Sequence, residues 1–311
     1  MRALLTALAC LVGAGLLGPK AYAAESAPKV DLKSVEGLID FLGTPPRWEV
    51  VEILVHMHGA ARGEAGLRMV EALSRVGGTA SARGLGLLLA RGDDPVRTEG
   101  LRAIAAVGIR VPEALLAARD AWRQGPAAVR LAACEALGYV GTGDDVESLL
   151  EALVAQDPEL APRAYAALVR LSGAKLPYVP SRWTWWWKST AEQGRVALRA
   201  ALFRSDRPLV PLTEAELAEV ESVVQRWGWL DLNTVANATR AWFCTLDPNL
   251  RSLACRVAAG LKLGELAEDV RSAAIFATDD GVEAAARQAS AVLGVPLGRG
   301  PRSIASVSRT D

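Results

Sequence analysis

The chain has 311 residues, 51% of them hydrophobic, which is enough to bury a substantial core in one large or two ordinary domains. Its 35 basic and 35 acidic residues cancel. That balance argues against a nucleic-acid partner, whose binding rests on an excess of Lys and Arg facing phosphates.

In chain order, Arg2, an apolar run from Ala3 to Gly18 and the small residues of Ala21-Tyr22-Ala23 read as an export signal with cleavage after Ala23. An uncleaved anchor is the alternative, but the run falls short of the ~20 apolar residues that cross a bilayer. A lipid-modified Cys10 is a weaker one, because Ala7-Leu8-Ala9-Cys10 comes early in the run and lacks the preferred Leu. No later stretch is long enough to span, so the mature chain is expected in the periplasm or outside the cell, with no membrane span. Without the leader the charges are 33 basic against 35 acidic. Residues 25–29 form a polar start. A short helix is expected from Ser34 to Leu42, then a pair from Trp48 to Met57 and Gly66 to Val76, each with apolar residues three and four apart.

Further pairs are expected at Ala80–Ala90 with Pro95–Val107, Pro112–Arg123 with Ala127–Tyr139, and Asp145–Ala155 with Pro158–Leu171. Asp94-Pro95 supplies an N-cap acceptor followed by a Pro whose missing donor costs nothing there. Asp157-Pro158 repeats that start, and Asp144 with Glu147 has the spacing of a capping box. Val96-Arg97 leads to Gly108, and Val129-Arg130 leads to Gly141 at the same eleven-residue interval. The period is 33 residues, and Gly173 follows Gly141 by 32. A period of that length, built of two helices and two turns, predicts an all-α fold of stacked antiparallel helix pairs, an α-solenoid.

The phrases VRTEGLRAIAAVG and VRLAACEALGYVG resemble HEAT repeats of the short bacterial type, also called PBS-lyase HEAT-like repeats. The resemblance covers Trp48 to Gly173 well and Asp247 to Gly294 less well. It implies stacked helix pairs and a binding or scaffolding role. Some relatives are bilin lyases, but no catalytic residue carries over, since the repeated positions serve packing and turns.

From Lys175 to Lys188 the rhythm breaks at Pro177 and Pro180, and four of the nine tryptophans fall in five positions: Trp183, Trp185, Trp186 and Trp187. This segment is similar to the one that closes the HEAT array in some bacterial secreted proteins. A helix is expected from Thr184 to Phe203, with Trp187, Val196, Ala197, Ala200 and Phe203 apolar, then a linker from Ser205 to Pro211. Thr213 with Glu216 predicts a boxed helix to Gln225, broken by Trp227-Gly228-Trp229. Helices follow at Asn233–Phe243, Asn249–Leu263, Ala267–Ala277 and Val282–Leu293. The tail from Arg299 has the composition of a disordered segment. The organisation expected is therefore residues 24–174 as an N-terminal repeat block, 175–210 as a Trp-rich joint and 211–298 as a degenerate C-terminal block.

No constellation specifies a reaction, metal or cofactor. His56 and His58 stand two apart on a helix and point in different directions. The pairs Asp93-Asp94, Asp144-Asp145 and Asp279-Asp280 sit where helix caps are needed, and Arg97 and Arg130 can cover packing surface with their stems. Of Cys134, Cys244 and Cys255, the first and last lie in apolar helical patterns. A Cys244–Cys255 disulfide is compatible with export, and spacing leaves it open. Trp183, Trp185, Trp186 and Trp187 are the candidate partner-binding residues, because indole faces make interface hot spots. The same residues can instead fill the joint between the blocks. The function expected is a non-catalytic protein-binding or scaffolding module of the cell envelope, working through the concave face of the second helices. An enzyme or a carbohydrate- or peptide-binding protein with a cleft at the Trp-rich joint is the alternative.

Overall fold

The computed structural model describes residues 62–155, 157–205 and 212–297, with Ser34 and Gly37. The expected leader, the His56-Met57-His58 triplet, the helix at 48–57, most of the 205–211 linker and the tail from Arg299 lie outside the described residues. Within them the fold is all-α, with thirteen helices and three short 3-10 turns. One isolated bridge, between Arg110 and Leu263, is the extended pairing among the described residues.

The first seven helices are α1 (Gly63–Val76), α2 (Gly78–Leu89), α3 (Asp94–Val107), α4 (Pro112–Gln124), α5 (Ala127–Val140), α6 (Val146–Val154) and α7 (Leu160–Ser172). Six more follow: α8 (Pro180–Ser205), α9 (Glu214–Trp227), α10 (Leu232–Phe243), α11 (Pro248–Gly260), α12 (Ala267–Ile275) and α13 (Asp280–Leu293). Helices α1, α3, α5 and α7 touch in series, with α2, α4 and α6 each packed on the helix that follows. The small residues allow this closeness. A Cβ on Gly138 of α5 would stand 2.8 Å from the Cα of Ala167 in α7. In the second half α9, α11 and α13 touch in series.

The helix starts follow sequence chemistry, with corrections. The N-cap of α3 is Asp93, whose Oδ1 accepts from Val96 N at 3.2 Å, so Asp94 is inside the helix rather than capping it. The box expected from Asp144 and Glu147 is formed instead by Thr142 and Asp145 around the turn Gly143–Asp145. Proximity to Arg119 decides it, since that side chain holds Asp145 at the turn. Asp157 accepts from Glu159 N and Leu160 N, and Thr213 with Glu216 makes the expected box. Gly108 and Gly173 end their helices in the left-handed region, at φ 62° and 68°. Gly141, its repeat counterpart, is extended; a Cβ there would lie 2.3 Å from Leu137 O, which is why a glycine serves. Asp279 caps α13 through Val282 N at 3.1 Å. Asp279→Ala is expected to cost about 1 kcal/mol in urea denaturation, and no loss would mean that this helix start does not need its cap.

The two halves run back along each other, so that turns between pairs meet. Thr79 Oγ1 donates to Leu293 O at 2.9 Å, and Gly78 and Gly294 are so close that a Cβ on Gly294 would stand 2.5 Å from Gly78 Cα. Arg110 N donates to Lys262 O at 2.9 Å, and Gly264 N to Arg110 O at 2.8 Å. A Cβ on Gly143 would meet Leu230 O at 2.7 Å. Each contact joins positions equidistant from Trp186, to within two residues. The larger hydrophobic core accordingly draws residues from both halves, Leu85 and Leu137 from the first and Leu253 and Leu293 from the second. A smaller core gathers Leu149, Leu168, Trp183, Trp187 and Trp229 around the chain reversal.

Cys134 and Cys255 are buried, Cys244 is exposed, and no disulfide joins Cys244 to Cys255. Burial pushes both inner thiols from 9.0 up to about 12. They are therefore neutral and poor nucleophiles. At pH 8 a thiol reagent is expected to label Cys244 and to reach the other two only on unfolding. Because the fold favours the protonated form, that contribution to stability is complete below pH 9 and falls as the pH rises toward about 12. Alkaline melts that stay flat across this interval would contradict it.

Candidate binding site at the chain reversal

Helix α8 is 26 residues long and begins at Pro180, four residues before the expected start. Pro180 supplies a fixed φ at the first turn, which puts all four clustered tryptophans inside one helix. Its buried stripe is Trp183, Trp187, Ala191, Gly194, Leu198, Ala201 and Ser205, spaced three and four apart. Val196 and Phe203, expected among the apolar contacts, lie on the outer side and are 57% and 59% exposed. Gly194 explains the choice of face: a Cβ there would stand 2.6 Å from the Trp227 ring, so this side must meet α9.

The helix splits the cluster. Trp183 is fully buried and donates from Nε1 to Pro177 O at 3.1 Å. Trp187 is 8% exposed and lies under the Arg195 guanidinium, 5.6 Å from its ring centroid. Trp186 is half-buried, and Trp185 is 72% exposed. The inner three belong to an aromatic chain. Tyr178 meets Tyr165 at 5.2 Å and 77°, Tyr165 meets Trp183 at 5.9 Å and 86°, and Trp183 meets Trp186 at 5.6 Å and 77°. These edge-to-face contacts bring the positive ring edge onto a neighbour's negative face. Trp187 continues the chain to Trp229, 6.2 Å away on the other half of the molecule. Of the four candidates, three therefore fill the junction and one faces solvent.

Hollows surround this junction on several sides. Between α6 and α8 is a groove of about 660 Å³, floored by Leu150, Trp187 and Ala191, walled by Val154 and rimmed by Lys188 and Glu192. Trp185 and Val196 stand three and four residues from those rim positions, on the same side of α8, so exposed apolar surface borders the groove. On the opposite side is a cavity of about 510 Å³ that includes Arg110, Arg170, Trp186, Arg226 and Trp227. A third, about 540 Å³, is a charged hollow between α5 and α7. It lies on the row of second helices expected to form the working surface, where Arg163 pairs with Glu135 and Arg170 stacks on Tyr139.

Nearby, Arg119 donates from Nε to Asp145 at 2.7 Å, with the Asp145 side chain 7% exposed. The hydrogen bond to Asp145 raises the Arg119 pKa. This pair fastens α4 to the Gly143–Asp145 turn. Among the described residues no group of three or more His, Cys, Asp or Glu is placed to hold a metal, and no helix is long and apolar enough to cross a membrane.

In the sequence Arg110 and Arg226 carry no signal, and Gln225 and Trp227 mark only the end of a helix and the break after it. They come together only because the halves fold back, and no local spacing encodes that. Comparison of the chain with family models, with curated proteins and with solved structures gives no match.

Proposed function

We propose that this chain is an exported, non-catalytic binding protein of the cell envelope, built of HEAT-like helix pairs, that holds a protein partner against the α6–α8 groove. The observation that carries the reading is Trp185, a large indole 72% exposed beside an apolar groove whose floor is made by Trp187 and Leu150. Exposed aromatic anchors next to apolar pockets are the usual energetic centres of protein interfaces. The groove between two helices accepts the apolar face of a third, with Lys188 and Glu192 available to set its register. The series contacts of α1, α3, α5 and α7 and the 33-residue period support the repeat architecture. The outer face of that row supports binding less well, because its charges already pair with each other and exposed ion pairs contribute little.

A pull-down from the periplasmic fraction, using wild type and Trp185→Ala, tests the reading. A partner held by wild type is expected to bind the variant about 30-fold more weakly, a loss of about 2 kcal/mol, with melting temperature unchanged. Equal capture by both proteins, or capture by neither, would overturn it.

A further inference from the structure

The cavity opposite the groove has a chemistry of its own. Its charged residues are Arg110, Arg170 and Arg226, and neither Asp nor Glu lines it. None of the ion pairs formed among the described residues involves these three arginines. Arg170 and Arg226 instead lie over the rings of Tyr139 and Trp227, at 4.9 Å in both cases. Arg110 is the unusual one. It sits where the two halves meet, pinned by its backbone bonds to Lys262 and Gly264, and its Nη1 donates to Leu261 O at 2.8 Å. Its Nε is buried without a hydrogen-bond partner. A guanidinium offers five donors in a plane suited to two oxygens of one anionic group. Burial lowers the Arg110 pKa to about 10, which leaves it cationic at neutral pH. Burying a cation without a carboxylate partner is costly, and an anion beside it removes the cost.

The rest of the wall is aromatic and polar. Trp186 and Trp227 are half-buried, so part of each ring faces the cavity, and Gln225 and Thr190 stand beside them. Flat indole faces hold sugar or heteroaromatic rings by stacking, whereas a bare inorganic ion gains nothing from them. The volume, about 510 Å³, lies in the range of small-molecule pockets.

We propose that this cavity binds a small organic anion, a carboxylate or phosphate carried on a ring, with Arg110 and Arg170 holding the anionic group, Trp186 the ring, and Trp227, its face covered by Arg226, closing the wall. The site is separate from the groove suggested for a protein partner, and Trp185 takes no part in it. Two sources fit the shared chemistry, an acidic sugar and a nucleotide.

Calorimetric titration with glucose 1-phosphate and with AMP, against glucose, adenosine and inorganic phosphate, tests it. At least one of the two ring-bearing anions is expected to bind ten-fold or more tightly than its neutral counterpart and than phosphate; whichever binds identifies the source. Arg170→Gln and Trp186→Ala should each weaken that binding at least ten-fold with the circular dichroism spectrum unchanged, while Trp185→Ala leaves it intact. Arg110→Gln should abolish binding, and if that variant fails to fold, the exposed Arg170 carries the test. Neutral compounds binding as tightly, phosphate binding as tightly as the ring-bearing anions, no response to Arg170→Gln, or no binding by any probe at millimolar concentration would overturn the proposal.

Discussion

Trp183→Ala is expected to destabilise the protein by about 3–5 kcal/mol, the range for deleting a buried aromatic side chain. The side chain is fully buried, and its ring meets Tyr165 and Trp186 edge-on. Its N–H satisfies Pro177 O in the turn that leads into α8. Removing it opens a cavity in the smaller core, and the cost comes from that cavity, since Pro177 O keeps Val179 N as a donor at 2.7 Å. Trp185→Ala, two positions along the same helix, should stay within about 0.5 kcal/mol of wild type, because it removes surface already in water. Urea denaturation of both variants reads the contrast. Equal losses would mean that Trp183 does not carry the packing of the smaller core.

Arg119→Ala is expected to cost about 2–3 kcal/mol, below the roughly 3–5 kcal/mol for one member of a fully buried ion pair because the Arg119 side chain is 22% exposed. Asp145 would keep a buried carboxylate, with Thr142 N as its remaining close donor at 2.8 Å. The double variant Arg119→Ala, Asp145→Asn should recover part of the loss, since the neutral amide still accepts from Thr142 and no longer carries a buried charge. A double variant less stable than the single one would show that the contribution of Asp145 does not come through its pairing with Arg119.

Much of the helix layout was legible because its signals are local. Asp157, Asp247, Asp279 and the Thr213–Glu216 box sit one turn from the amides they satisfy. The left-handed glycines Gly108, Gly173 and Gly294 mark helix ends for the same reason. Errors arose where a distant group arbitrates. Asp93 outcompetes Asp94 as a cap while also accepting from Gly63 N, thirty residues away. The Thr142–Asp145 box depends on Arg119, and the face of α8 depends on Trp227 meeting Gly194. Of the candidate site, the aromatic density at 183–187 was visible, and so was the fact that four indoles on one helix could not all point inward. The arginines of the cavity were not, because Arg110 looks in sequence like any turn residue.

The equal spacing of the paired turns about Trp186 bears on how such a chain can change length. In an open repeat array a unit can be duplicated or lost at little cost, since each unit answers only to its neighbours. Here Gly78 faces Gly294, Arg110 faces Leu263 and Gly143 faces Leu230 across one seam. Deleting two successive helices from one arm would shift every later turn of that arm relative to the other. The small residues would then oppose bulky ones. Viable length variants of this chain should therefore gain or lose matching helices in both arms together, with the tryptophan-rich bend kept at the midpoint.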